Sequence, residues 1–364
     1  MAKRILLLIN SVTPALLSAL TLFSLSGVGF AQETSSQRLG KALSLVGAER
    51  EKALIEGAKK EGELNLYFVL GVSEGQPFAS VFQKQYPFLK VNYIRAGRGA
   101  IMTKILTEVR VGAFRGDLIQ ISPDEAYHLI KGGITDRYLS PYAKDVKKGY
   151  YDPNGNWTAL YYSTMVLAYN NTRVAPGDVP KRYEDVLNPK WKGKLILDVA
   201  ATDWFGMLVE SWGEKKAVDF GRQLVKQEIQ FRRGHRLQLL LLSAGEVDIA
   251  PKVYGETGYI MKSAGAPIDF ALLKPHIIKP YPMLLVKKAS HPFAAALFYD
   301  WSLSEKGQAA LQQFARVSVL ERVKPRYPAL MVENPLVITP EGFGPNYERY
   351  INLFKDTFGI KTAE

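Results

Sequence analysis

Apolar and polar positions along this chain fall into two rhythms that take turns. From Ala48 to Gly62, Leu54, Ile55 and Ala58 share one helical face, and Gly62 is a natural stop. Leu64 to Val69 is then a short apolar run of strand length, followed by a loop from Gly71 to Gly75 and a helical stretch from Pro77 to Tyr86. Val91 to Ala96 predicts a second strand, Gly97-Arg98-Gly99 a turn, and Ala100 to Val111 a helix. Asp117 to Ile121 predicts a third strand, and Pro123 opens a helix that ends at Gly132-Gly133. Strand and helix in alternation predict an α/β fold with a largely parallel sheet covered by helices. Such a sheet binds ligands beyond the carboxyl ends of its strands. Gly71, Val72, Ser73, Arg98, Gly99 and Ser122 all lie in strand-to-helix loops, so the topology gathers them on one rim.

The middle of the chain breaks this rhythm. Trp157 to Asn170 is aromatic and β-favouring, with Tyr161, Tyr162 and Tyr169. It is too long for an ordinary strand and suits a crossing from one domain to another. A second alternating set follows. It has helical Tyr183 to Leu187, a strand at Leu195 to Val199, a helix at Asp203 to Val225, a strand at Glu228 to Phe231 and a helix at Leu237 to Ala244. Asp248 to Pro251 and Met283 to Val286 read as strands, and Pro292 to Leu311 as a helix. No repeat of fixed period appears.

The first thirty-one residues read as an export signal. Lys3 and Arg4 precede an apolar run from Ile5 to Leu25, interrupted by Asn10, Ser11, Thr13 and Pro14. Gly29 and Ala31 are the small residues at positions −3 and −1 of a cleavage site, which puts the mature start at Gln32. The interruptions argue against a membrane anchor. The formal charge of +12 is spread along the chain, densest at Arg232-Arg233-Gly234-His235-Arg236. No basic block with interleaved aromatics suggests a nucleic-acid partner. With no Cys, disulfides, thiolate metal sites and Cys nucleophiles are excluded.

Few catalytic constellations are present. His128, His235, His276 and His291 form no i,i+4 pair, and neither a GxSxG elbow nor a GxxxxGK[ST] loop occurs. Three strand-to-helix junctions remain as candidates. Backbone N–H groups at Gly97–Gly99 with Arg98 suit an anion at a helix N-terminus, or else form a tight turn with a solvated Arg. Thr202 or Asp203 is placed to cap the helix that follows. Arg233 and His235 open the next helix, or form an exposed basic loop. Val253 to Tyr259 is aromatic with flanking glycines, and Tyr254 and Glu256 there suit either packing or ligand contact. No cofactor or metal is called for.

Five segments in order resemble a known family. They are Gly57-Ala58-Lys59-Lys60-Glu61-Gly62, Asn188-Pro189-Lys190-Trp191-Lys192-Gly193-Lys194, Ser243-Ala244-Gly245-Glu246-Val247, His291 to Phe298, and Leu303 to Gln308. Over roughly 53–325 the chain is similar to a periplasmic solute-binding protein of an ABC importer, in the ferric-iron-binding-like branch of the family-1 extracellular solute-binding proteins. The resemblance implies a two-lobed periplasmic-binding-protein fold of type 2. Each lobe is a mixed sheet flanked by helices, joined by crossover hinge strands, with the ligand enclosed between them. It implies a signal peptide over 1–31, an entry segment over 32–62, one lobe from 63–165 plus 280–345, a second from 166–279, and a tail over 346–364. It also implies an ABC permease and ATPase as partners, a small-molecule ligand and a monomer. Ferric-binding members carry adjacent tyrosines in the segment matching Lys252-Val253-Tyr254-Gly255, and here Gly255 breaks the dyad. Rim helix N-termini and arginines therefore favour an anionic organic ligand, with iron or an iron chelate, or an exported enzyme using Glu256 or Asp203 as base, as alternatives. A receptor-coupled sensor would share the same ligand chemistry. The expected ligand-binding residues are Gly71, Val72, Ser73, Arg98, Gly99, Ser122, Tyr162, Thr202, Asp203, Arg233, His235, Tyr254 and Glu256.

Overall fold

A computed structural model describes residues 33–97 and 99–360. The expected signal segment and cleavage site, and Arg98, lie outside the described residues. In chain order the elements begin with α1 (Ser35–Leu39), α2 (Gly47–Glu61), β1 (Glu63–Phe68), α3 (Val72–Gln85), β2 (Lys90–Arg95) and α4 (Ala100–Arg110). Next come β3 (Leu118–Gln120), α5 (Pro123–Lys131), β4 (Thr135–Asp136), β5 (Thr158–Asn170), β6 (Ile196–Asp198), α6 (Thr202–Trp212), α7 (Glu214–Lys226) and β7 (Gln230–Arg232). They continue with α8 (His235–Ala244), β8 (Ile249–Tyr254), α9 (Gly255–Ser263), β9 (Ile268–Ala271) and β10 (Ile277–Val286). The chain closes with α10 (Pro292–Ser302), α11 (Glu305–Gln313), β11 (Leu336–Val337), α12 (Pro340–Phe343) and α13 (Tyr347–Phe358).

The sheet runs β2-β1-β3-β10-β5-β8, with β4 and β11 beside β10 and β9 beside β5. β1 pairs in parallel with β2 and β3, as the alternation predicts, but β10 and β5 enter antiparallel. The sheet is therefore mixed. β5 pairs with β10 through its first half and with β8 and β9 through its second. It is one continuous strand carrying the chain from one half of the molecule to the other, and β10 returns. A separate parallel pair, β6 and β7, is tied to β8 by a bridge from Leu195 to Ile249.

Two apolar cores flank the crossing strands. One gathers Phe68, Phe78, Phe82, Phe298 and Trp301, with the Phe82 and Phe298 rings 4.9 Å apart. The other gathers Trp204, Phe205, Leu208 and Phe220 and is completed by Tyr350, Phe354 and Phe358 of α13. The final segment thus contains a packed helix docked on α6 and α7.

Several element boundaries differ from the sequence pattern. The helix expected from Pro77 begins at Val72, so Val72 and Ser73 form its first turn rather than a loop. A proline six residues into a helix sacrifices one i→i−4 bond, which the buried Phe78, Ala79 and Phe82 outweigh. The helix expected over 203–225 is two, parted at Gly213, whose φ of 83° no helix allows. The helix expected over 292–311 is likewise two, because Ser304 accepts from Gly307 N and starts a new one. The segment Val253 to Tyr259, singled out for its tyrosines, ends β8 at Tyr254 and is helical from Gly255.

Candidate functional site

The crossing strands place a charged cluster between the two cores. Tyr161 and Ser163 on β5 share a face with Lys279 and Tyr281 on β10, since Ser163 pairs with Lys279 and Tyr161 with Tyr281. Lys279 Nζ donates to Asp203 Oδ2 at 2.9 Å, and Lys252 of β8 approaches Asp203 Oδ1 at 3.4 Å. All three side chains are buried. Tyr254 OH is 3.3 Å from the same Asp203 Oδ2. Lys252 Nζ also lies 3.4 Å from His235 Nε2 and sits over the Tyr254 ring. Burial lowers the Lys252 ammonium below its ordinary value, with Asp203 opposing the shift. Burial and then the Lys252 charge hold His235 well below its ordinary value, so its imidazole is neutral.

A second group adjoins the first. Ser163 Oγ donates to Glu256 Oε1, which also lies 3.4 Å from an Arg316 terminal nitrogen. The other terminal nitrogen of Arg316 is 3.4 Å from Glu74 Oε1 on α3. The guanidinium lies over the Tyr161 ring, and Tyr161 in turn stacks on Tyr281 with centroids 4.7 Å apart. Burial raises the Glu256 carboxyl above its ordinary value, with Arg316 opposing. One arginine therefore ties the start of α3, in the first half, to the start of α9, in the second.

Of the residues expected from sequence, Asp203, His235, Tyr254 and Glu256 meet in this cluster. Thr202 lies beside it in the first turn of α6. Ala201, not Thr202 or Asp203, is the N-cap, and Asp203 Oδ1 accepts from Trp204 N instead. Gly99 and Ser122 come together differently: Gly99 N donates to Glu125 Oε1 at 2.9 Å, and Ser122 Oγ to Glu125 Oε2 at 2.5 Å. Glu125 thereby joins two rim loops of the first half. Gly71 is the N-cap of α3. Val72, Ser73 and Arg233 are exposed, with no side chain of the cluster as partner. Tyr162 is on the opposite face of β5 from Tyr161, with its hydroxyl 3.0 Å from Met331 Sδ and its ring against Tyr150. The strand period of two separates the neighbours, and Tyr161 is the one facing the charges.

Lys252, Lys279, Arg316, Ser163, Tyr161 and Glu74 were missed by sequence reasoning. The lysines do leave a signal. Each interrupts an apolar strand, Ile249–Tyr254 and Ile277–Val286, where an unpaired ammonium is not tolerated. Arg316 leaves none, because it is a lone cation in an irregular segment.

The packing also accounts for Gly255. A Cβ there would strike the Leu330 side chain and lie 3.2 Å from Val166. A second tyrosine beside Tyr254 would displace Leu330. Among the described residues, no three His, Asp or Glu side chains converge as a metal site, and no helix is long and apolar enough to cross a membrane. A depression of about 620 Å³, lined by residues such as Arg50, Tyr86, Tyr142 and Trp301, shares no residue with the cluster.

A mixed sheet crossed by two long strands, with charged residues gathered where they cross, defines a two-lobed binding protein. The family described as "Bacterial extracellular solute-binding protein" matches residues 126–331, more than half of the chain, and the chain belongs to it. A Haemophilus influenzae protein of uncharacterised function is 25% identical over 332 residues, 84% of this chain and 89% of its own length. Iron uptake protein A1 of Synechocystis is 22% identical over 63% of each chain. Iron-bound HitA from Pseudomonas aeruginosa superposes with a TM-score of 0.73 at 21% identity, covering 81% of this chain and 99% of its own. The periplasmic binding protein AfuA from Actinobacillus pleuropneumoniae, with fructose-6-phosphate bound, superposes with a TM-score of 0.70 at 22% identity, covering 82% and 99%. The family resemblance and the fold expected from sequence are both borne out.

Proposed function

We propose that this chain is the periplasmic receptor of an ABC importer, which captures a small organic anion between its lobes and delivers it to a membrane permease driven by a cytoplasmic ATPase. The observation that carries this reading is the meeting of Lys252, Lys279 and Arg316 on the floor between the two halves. Three cations beside the first turns of α6, α8 and α9 are a setting for ligand oxygen atoms. The proposed lobes span 63–165 plus 280–345 and 166–279, with β5 and β10 as the hinge, although Ile338 and Phe343 pack in the second core. Glu74 on Arg316, and Asp203 on the lysines, then hold the places that ligand oxygens take when the lobes open. The proposed contacts are Tyr161, Ser163, Asp203, His235, Lys252, Tyr254, Glu256, Lys279 and Arg316. The protein acts as a monomer and turns nothing over.

The related proteins named for iron raise ferric ion as a second reading. It has less support here, because the tyrosine dyad is absent and Tyr254 already faces Asp203. The deciding experiment is mass spectrometry of small molecules released by denaturing protein purified in its native state, followed by calorimetric titration of the compound found. A stoichiometric organic anion that rebinds unchanged supports the proposal. A released metal without an organic anion, or chemical conversion of the compound on rebinding, overturns it.

A further inference from the structure

Within the cluster, two buried polar atoms are left without partners. Glu256 is fully buried, and while its Oε1 meets Ser163 and Arg316, its Oε2 has no hydrogen-bond partner. Arg316 uses both terminal nitrogens on Glu256 and Glu74, while its buried Nε has none. One orphan is a carboxylate oxygen and the other an N–H donor, and they belong to the two ends of a single ion pair. Leaving either unmade is costly away from water. Neither group can swing to find another partner, because Tyr161 and Tyr281 are stacked beneath the guanidinium and Ser163 holds the carboxylate.

The chemistry of the two orphans restricts what fits between them. A bare carboxylate or phosphonate offers only acceptors, which would serve Nε but face Oε2 as like charge. An ammonium offers only donors, which would serve Oε2 and repel Nε. A hydroxyl offers one donor and two lone pairs, so it answers both. Solvent reaches the edge of the cluster at Glu74, whose side chain is 21% exposed.

We infer that Glu256 and Arg316 read hydroxyl groups, so that the solute is a hydroxylated organic anion whose charged end lies toward Lys252 and Lys279. This rests on the reading of the chain as a solute-binding protein. The site then selects against simple anions, since a site built to bond a hydroxyl rejects an analogue lacking it.

The test is calorimetric titration of the purified protein with three matched pairs: glycerate and propionate, gluconate and hexanoate, glycerol 3-phosphate and propyl phosphate. At least one hydroxylated member should bind, at least tenfold more tightly than its counterpart. Glu256→Gln, which keeps the shape but turns an acceptor into a donor, should shrink that ratio several-fold. Arg316→Lys, which keeps the charge and deletes Nε, should do the same and serves if Glu256→Gln does not fold. Equal affinities within every pair, unchanged ratios in both variants, or no binding of any hydroxylated member overturn the inference. Release of a hydroxyl-free anion from natively purified protein would overturn it while leaving solute capture standing.

Discussion

Lys279 Nζ lies 2.9 Å from Asp203 Oδ2, and each side chain is only 2% exposed. Lys252 shares the same carboxylate from its other oxygen. Removing Asp203 therefore takes the shared carboxylate from two buried ammonium groups, while removing Lys279 leaves Asp203 facing Lys252. Asp203→Asn should destabilise the fold by about 3–5 kcal/mol, and Lys279→Met by clearly less. Urea unfolding monitored by tryptophan fluorescence measures both. Equal losses would show that the lysines do not depend on this carboxylate.

His291 carries a pH dependence whose sign follows from its partner. Its Nδ1 lies 2.8 Å from Asp117 Oδ2, and that bond raises the imidazole above its ordinary value, against the effect of burial. A raised folded value stabilises the native state fully below the unfolded value of about 6.5 and is lost as pH rises through the folded value. Thermal melts of the native protein and His291→Gln should thus differ most at pH 5–6 and converge at alkaline pH. A gap that widens with pH would contradict the assignment.

Gly307, in the first turn of α11, is in tight contact with the preceding helix. A Cβ there would strike the Trp301 carbonyl oxygen and lie 2.7 Å from Ser302 Cα, both backbone atoms that cannot rotate away. Gly307→Ala should cost about 1–3 kcal/mol as the elbow between α10 and α11 shifts. Gly177→Ala, with nothing within 4 Å, should stay within about 0.5 kcal/mol. Denaturant midpoints of the two variants give the comparison.

Ferric citrate followed by dialysis should leave the protein colourless. Ferric tyrosinate absorbs visibly, but Gly255 occupies the place of a second tyrosine against Leu330. A stable reddish species with one iron per chain, lost in Tyr254→Phe, would overturn the choice of ligand.

Processing is the last test. The small residues Gly29 and Ala31 predict that exported protein should begin at Gln32, within two residues. Intact-mass measurement of the exported pool decides it, and a retained Met1 would contradict export by cleavage.

Periodicity made the first half of the fold legible. Each strand and helix from β1 to α5 follows from apolar spacing and from punctuation by Gly62, Gly99 and Pro123. It misjudged long helical runs, because the breaks at Gly213 and Ser304 are single residues inside otherwise continuous apolar patterns. The candidate cluster was legible only where residues flank strand ends, as Asp203, His235, Tyr254 and Glu256 do. Lys252, Lys279 and Arg316 come from mid-strand and irregular positions. Their meeting depends on β10 and β8 both pairing with β5, long-range pairings that local spacing does not encode. Tyr162 shows the limit in miniature: the run of tyrosines was visible, but which of two neighbours faces the charges is a matter of register.

The docking of α13 has a consequence for how this molecule is made. Tyr350 bonds Glu210 across 140 residues of chain, and Phe354 and Phe358 pack on Phe205. A chain delivered across a membrane from its N-terminus presents α6 long before α13 arrives. During that interval the face of α6 that receives Phe354 and Phe358 has no cover of its own. The second core is thus a late event in biogenesis, and the waiting surface is where a holding chaperone would be most needed.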